Sequence, residues 1–191
     1  FIPISQITGT GDGNQFYSLF RDSKGFYWFG GANGLIRFTD PAGERHDAIW
    51  YRMGDKTYPL SHNRIRHIYE DKEQQLWIAT DGSINRYDYA TRQFIHYNIV
   101  DNTGTYNTNW TYYIFEDTAG QLWISTCLGG IFVVDKRKLM QSTSGQYIAE
   151  QNYSVHNGLS GMFINQIIPD NEGNVWVLLY NSKGIDKINP R

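Results

Sequence analysis

The stretch DKEQQLWIATDGSI at residues 71–84 decides the fold. Asp71 opens a tight turn, where a carboxylate can accept backbone N–H groups two residues on. Leu76 to Thr80 is apolar on both faces, as a strand covered on both sides must be. Gly82 then precedes a second short apolar run that starts at Ile84. The same pattern returns as DSKGFYW (22–28), DTAGQLW (117–123) and DNEGNVW (170–176), with Trp spacings of 49, 46 and 53 residues.

The register extends well beyond the core of the motif. Six residues before each Trp stands Asp22, Asp71, Asp117 or Asp170, and nine before it Leu19, Ile68, Ile114 or Ile167. Three before it stands Gly25, Gly120 or Gly173, with Gln74 in the second copy. Fourteen before it stands Asn14, Asn63 or Asn109, with Met162 in the fourth copy. A period near 45–50 residues carrying four short strands is the arithmetic of a β-propeller blade. The fold class is therefore all-β, with four four-stranded blades at residues 14–62, 63–108, 109–161 and 162–191, the last incomplete. Residues 1–13 supply the outer strand and loop of a preceding blade, with Phe1 placed as Trp50 is. Two arrangements stay open, a closed ring of four blades or part of a larger ring of seven.

Trp28, Trp77, Trp123 and Trp176 are expected to pack between blades, each burying roughly 150–250 Å². Asp22, Asp71, Asp117 and Asp170 are expected to form turns and to carry no acid chemistry. A short helical turn is expected near Lys136–Met140 and no long helix anywhere. Lys136-Arg137-Lys138, the one basic cluster, reads as a solvated turn.

Composition agrees with an all-β reading: 16% of residues are aromatic and there are 19 Gly, which suit strands and turns. A net charge of −2 gives no electrostatic reason to bind nucleic acid or an anionic membrane. Cys127 is the single cysteine, so no internal disulfide can form. The five His show no metal-ligand spacing, and no cofactor is expected. The chain opens at Phe1 without a signal peptide or a membrane-spanning apolar run and reads as a cut-out. The sequons Asn109-Trp110-Thr111 and Asn152-Tyr153-Ser154 read as coincidence.

The unit Asn63-x-Ile65-x-x-Ile68-x-x-Asp71-x-x-x-x-Leu76-Trp77-Ile78-Ala79-Thr80-Asp81-Gly82-x-Ile84 closely resembles the two-component regulator propeller repeat. The resemblance implies the periplasmic sensor region of a bacterial hybrid two-component system that controls polysaccharide use. It also implies seven-bladed propellers, often in tandem, followed by an immunoglobulin-like domain, a membrane helix and a histidine kinase. An oligosaccharide ligand and a homodimer formed through the parent receptor are implied likewise. Gln74 and Met162 depart from the pattern.

In a propeller, ligands meet the face built from loops that lead into each inner strand. Here those loops carry Tyr58, His62, Tyr106, Trp110, His156 and Tyr180. Arg64 and Trp110 each follow a repeat Asn at the channel mouth, a platform and a cation suited to a sugar, acidic or sulfated ones included. The expected ligand set is therefore Arg64, Trp110, Tyr106, His62 and Tyr180. Two other readings stand beside it: an interaction platform, and an enzyme resembling propeller lyases that would need His62 and a carboxylate converging on a divalent metal.

Overall fold

A computed structural model of the protein describes residues 15–39, 48–57, 59–142, 145–180 and 184–190. Phe1, Asn14 and Tyr58 lie outside them. Four sheets follow one another along the chain. The first is a meander of β1 (Phe16–Arg21), β2 (Tyr27–Gly31), β3 (Gly34–Phe38) and β4 (Ile49–Tyr51). The second repeats it with β5 (Ile65–Glu70), β6 (Leu76–Thr80), β7 (Ser83–Asp88) and β8 (Gln93–Val100). In the third, β9 (Thr111–Glu116), β10 (Gln121–Thr126) and β11 (Ile131–Asp135) lead into the helix α1 (Lys136–Gln141). The chain then runs through β12 (Gln146–Ile148) before β13 (Gln151–Tyr153) completes that third sheet. The fourth holds three described strands, β14 (Ile164–Pro169), β15 (Val175–Leu179) and β16 (Ile185–Ile188). The architecture is all-β and propeller-like, with one difference in strand count. β12 leaves its own blade and pairs in parallel with β8, giving the second sheet five strands where four are expected.

The spacing of six between Asp and Trp has a geometric cause that turn chemistry alone does not reveal. Oδ1 of Asp71 accepts the backbone N–H of Glu73 (3.0 Å) and Gln75 (2.8 Å), while Oδ2 accepts the indole N–H of Trp77 at 2.8 Å. Asp22, Asp117 and Asp170 hold Trp28, Trp123 and Trp176 in the same way, at 2.8, 2.9 and 3.1 Å. One carboxylate thus closes the hairpin and satisfies the only polar atom of the Trp that the next strand must bury. The turn also requires a left-handed residue: Gly25, Gly120 and Gly173 have φ of 89°, 80° and 84°. Gln74 takes the same place at φ 62°, a conformation that costs a side-chain-bearing residue roughly 1–2 kcal/mol.

Three of the repeat Trp residues pack forward onto the next blade. Trp28 clusters with Ile65 and Ile68, Trp77 with Ile114 and Leu122, and Trp123 with Ile164 and Ile167. The aliphatic nine residues before each Trp is therefore the receiving surface for the Trp of the preceding blade. This corrects the expectation for Trp176, which is 43% exposed because no described blade follows it. Leu19, the receiving residue of the first blade, is 66% exposed for the mirror reason. A closed ring of four would seat Trp176 on Leu19. The described residues instead form an open arc.

Side chains tie the blades together on the turn side. Glu70 accepts the backbone N–H (3.0 Å) and hydroxyl (2.9 Å) of Ser23, and Glu116 accepts the backbone N–H of Lys72 at 3.0 Å. The next blade also contributes a donor to the turn Asp: the Tyr89 hydroxyl donates to Asp22 at 2.6 Å. At the second junction Lys136 takes that role, and it is no solvated turn residue. Its ammonium is buried and lies 2.7 Å from Glu116 and 3.1 Å from Asp71, with Glu73 as a third partner. Burial alone would lower the Lys136 pKa, but hydrogen bonds to Glu116, Glu73 and Asp71 outweigh it and raise the pKa. The basic cluster reads as surface because a hydrophilic run carries no sign of the three carboxylates that the fold gathers from blades two and three.

Candidate functional site

On the opposite side, the strand mouths repeat one backbone motif. The residue after each repeat Asn position accepts an N–H from the residue four after the Trp. Gln15 thus accepts from Ala32 (2.8 Å), Arg64 from Asp81 (3.2 Å), Trp110 from Cys127 (3.0 Å) and Phe163 from Tyr180 (2.8 Å). At Asn63 the side-chain oxygen accepts the backbone N–H of Met53 at 2.7 Å and ties the entering loop to the strand mouth.

Trp110 departs from its equivalents. Its own N–H donates to the Asp81 carbonyl at 3.0 Å, so both backbone polar groups are fixed. Its φ is 55°, the left-handed region, which a bulky residue rarely enters. The ring is nonetheless 48% exposed. Backbone strain that holds a large aromatic out in water is the kind of cost that collects at ligand sites.

Trp110 lines one of two cavities that share Thr105 and Tyr106. The smaller, of 240 Å³, is lined by Trp110, Leu128, Asn107, Asn109 and Tyr106. The larger, of 550 Å³, is lined among others by Tyr106, His156, Asp101, Glu150, Gln151 and Asn157. Tyr106 is the wall between them. Its hydroxyl lies 3.2 Å from Nε2 of His156, and its N–H donates to Asp101 at 2.8 Å. Burial opposes the Asp101 charge, but hydrogen bonds from Thr103 and Tyr106 hold its pKa below the ordinary carboxylate value. The Glu150 carboxylate is engaged as well, by the Tyr147 hydroxyl at 2.8 Å and the Asp135 N–H at 2.8 Å.

Of the expected ligand residues, the fold therefore brings Tyr106 and Trp110 together and adds His156. Arg64 reaches the same neighbourhood by a different route, with Nη1 3.7 Å from Asp81. Asp81 is already gripped by Arg66 at 2.7 and 3.2 Å, and Arg66 lies between the rings of Tyr17 and Tyr112. Arg64 lines neither cavity. His62 is occupied locally, its Nδ1 accepting the Arg64 N–H at 3.0 Å, and it too lines neither. Tyr180 is exposed on the fourth blade, away from both cavities. Leu128 escaped the sequence reading, although an apolar residue before Gly129-Gly130 in a lengthened loop was a usable signal.

The carboxylate cluster with metal-ligand geometry, Asp71, Glu73 and Glu116, lies at the turn side. Its centre holds the Lys136 ammonium, so these residues suit an internal ion network. Among the described residues no helix is long and apolar enough to cross a membrane.

The family model described as two component regulator propeller matches residues 10–33, 59–82 and 158–181. Two crystal structures of the extracellular domain of BT4673 from B. thetaiotaomicron are 98% and 99% identical to the chain, with TM-scores of 0.94 and 0.95. One is described as a one component system and the other as a hybrid two component system. Both align over 100% of this chain, which spans 26% of their length. The extracellular domain of BT3049, a hybrid two component system of the same organism, is 21% identical with a TM-score of 0.75 over 98% of this chain and 24% of its own. Virginiamycin B lyase from Staphylococcus aureus is 14% identical with a TM-score of 0.60 over 92% of this chain and 53% of its own. These last two likenesses concern the fold alone. No curated protein matches the chain. The Asp–Trp turns, the forward packing of Trp28, Trp77 and Trp123 and the three matched stretches converge: the chain carries two-component regulator propeller repeats.

Proposed function

We propose that this chain is part of the extracellular sensor region of a hybrid two-component system, and that the groove around Trp110 binds a carbohydrate. The observation that carries the reading is Trp110 itself, strained at φ 55°, fixed by two backbone hydrogen bonds and half-exposed beside polar loops. A flat apolar ring next to Asn107, Asn109 and Tyr106 offers a sugar both a stacking face and hydrogen-bonding partners. What supports binding over catalysis is the state of the acids: Asp101 and Glu150 are held by their own loops, and neither is poised toward the groove as a general base. Signalling belongs to the rest of the longer protein.

The test is calorimetry on the complete extracellular domain against an oligosaccharide library. Trp110→Ala is expected to weaken binding by about 2 kcal/mol, the scale of an interface hot spot, or more than tenfold. Arg64→Ala should cost less, because its guanidinium faces Asp81 and is half-exposed. Unchanged affinity in Trp110→Ala would remove the site from this groove.

A further inference from the structure

We propose that a cavity of 720 Å³ on the turn side of the first blade junction binds a small organic anion, a carboxylate or phosphate group carried on an apolar body. Arg37 of β3, Lys24 of the β1–β2 hairpin and Arg92 of the β7–β8 hairpin line it, together with Phe26, Ile49 and Tyr89. Among the described residues no Asp or Glu lines it. The cavity lies on the opposite side of the blades from the Trp110 groove, and the proposal does not depend on the carbohydrate reading.

The first observation is the state of Arg37. The residue is 9% exposed, and a guanidinium stays charged when buried. Its Nη1 donates to the Tyr87 hydroxyl at 3.0 Å, and the ring centres of Phe26, Trp28 and Tyr87 lie 4.6, 5.9 and 6.0 Å from the guanidinium carbon. Those rings offset part of the desolvation, but a buried charge calls for an opposite one. Every ion pair among the described residues involves Arg64, Arg66, Lys136, Lys138 or Lys187, so Lys24, Arg37 and Arg92 take part in none. Among the same residues Ser125 Oγ is the one enclosed side-chain nitrogen or oxygen without a partner. The remaining Arg37 nitrogens are therefore not sealed in the core, and the cavity that Arg37 lines is where they open.

The second observation is a contrast between junctions. Arg86 stands opposite Trp77 as Arg37 stands opposite Trp28. In the second blade Gln75, two residues before the Trp, accepts from Arg86 Nη1 at 2.7 Å, and the Tyr97 hydroxyl accepts from Nε at 3.3 Å. In the first blade that place belongs to Phe26, which presents a ring and no side-chain acceptor. Lys136 sits among three carboxylates at the second junction, whereas the neutral Tyr89 fills its role at the first. The acids next to the cavity are engaged elsewhere: Asp22 by Trp28 and Tyr89, Glu70 by Ser23, and Asp88 by Ala90 and Thr91. One junction is balanced internally, and the other turns unpaired cations toward a hollow. The hollow falls within the roughly 300–1,000 Å³ of small-molecule sites, so it has room for a body as well as an anionic group. Phe26, Ile49 and Tyr89 give that body apolar walls, and the guanidinium fork matches a planar or tetrahedral oxyanion.

The experiment is calorimetry on the complete extracellular domain with benzoate, phenyl phosphate, inorganic phosphate and the neutral benzyl alcohol. Benzoate and phenyl phosphate are expected to bind at least about tenfold more tightly than benzyl alcohol, the scale of one charge-assisted contact. Arg37→Met, which keeps much of the stem, should weaken both anions by more than about tenfold. Replacing Lys24 and Arg92 together by Gln, at exposed positions where the fold has little at stake, should weaken them by about threefold or more. This surface pair carries the test if Arg37→Met does not fold. Equal affinity for benzyl alcohol and the two aromatic anions would overturn the charge assignment. Inorganic phosphate binding as tightly as phenyl phosphate would overturn the apolar body. Anion affinity unchanged by the Lys24 and Arg92 replacements would place the binding elsewhere and overturn the site.

Discussion

Trp77 and Trp176 hold the same place in the repeat, and each donates its indole N–H to the Asp six residues before it, at 2.8 and 3.1 Å. Their surroundings are opposite. Trp77 is fully buried against Ile114 and Leu122 of the third blade, whereas Trp176 faces solvent with Lys187 4.9 Å from its ring. The hydrogen-bonded turn is thus a property of one hairpin, formed with or without a neighbour. Burial is a property of the pair of blades. The motif positions the Trp, and the next blade supplies the stabilisation.

This contrast can be broken most directly by truncating both residues in the 191-residue chain. Trp77→Ala should destabilise by about 3–5 kcal/mol, the usual cost of losing a buried aromatic, and Trp176→Ala by less than about 1 kcal/mol, as at a surface site. Denaturant unfolding measures both, and equal costs would refute the division between turn and junction. Repeating Trp176→Ala in the longer protein sharpens the comparison, since any blade packed on that face should raise its cost toward that of Trp77.

A somewhat smaller effect is expected at the ion network of the same junction. Lys136→Ala leaves Asp71 and Glu116 facing each other without a cation, and breaking a buried pair by removing one partner costs on the order of 3 kcal/mol. Lys136→Met, which keeps much of the stem, should lose nearly as much if charge is what matters. A melting temperature unchanged in both variants would show that the ammonium adds nothing to the junction. The smallest effect concerns the turn alone. Gln74→Gly should stabilise by about 1 kcal/mol by relieving the left-handed Gln at φ 62°, and a loss of stability would mean that the Gln side chain holds the turn by another route.

What could be read from the residues follows the same line between local and junctional causes. The Asp turns, the strands and the packing of Trp28, Trp77 and Trp123 were legible because each recurs at fixed offsets, while the helix at Lys136–Gln141 belongs to one blade and falls where a helical turn is expected. The indole bond to Asp was hidden, since a spacing of six has no meaning until the hairpin register brings the two side chains together. Lys136 was misread because its three partners stand 20, 63 and 65 residues away. In the groove, Trp110 and Tyr106 were found by position, but the cavity they share depends on loop paths that no repeat rule encodes. Arg64 is expected as a ligand cation at the channel mouth, but its guanidinium lies 3.7 Å from Asp81, four residues after Trp77.

The strap made by β12 has a consequence for how such a chain can grow. A repeat that owns all its strands can be copied or deleted at its hairpin boundaries, and its neighbours simply close up. The third blade does not own its contacts in that sense, because residues 146–148 complete the outer edge of the second. A duplication that copied the third blade alone would carry a strap with no matching edge unless the copy landed beside a second-blade equivalent. The heritable module at this place is the pair, and lineages that lengthen or shorten the arc should gain or lose these two blades together.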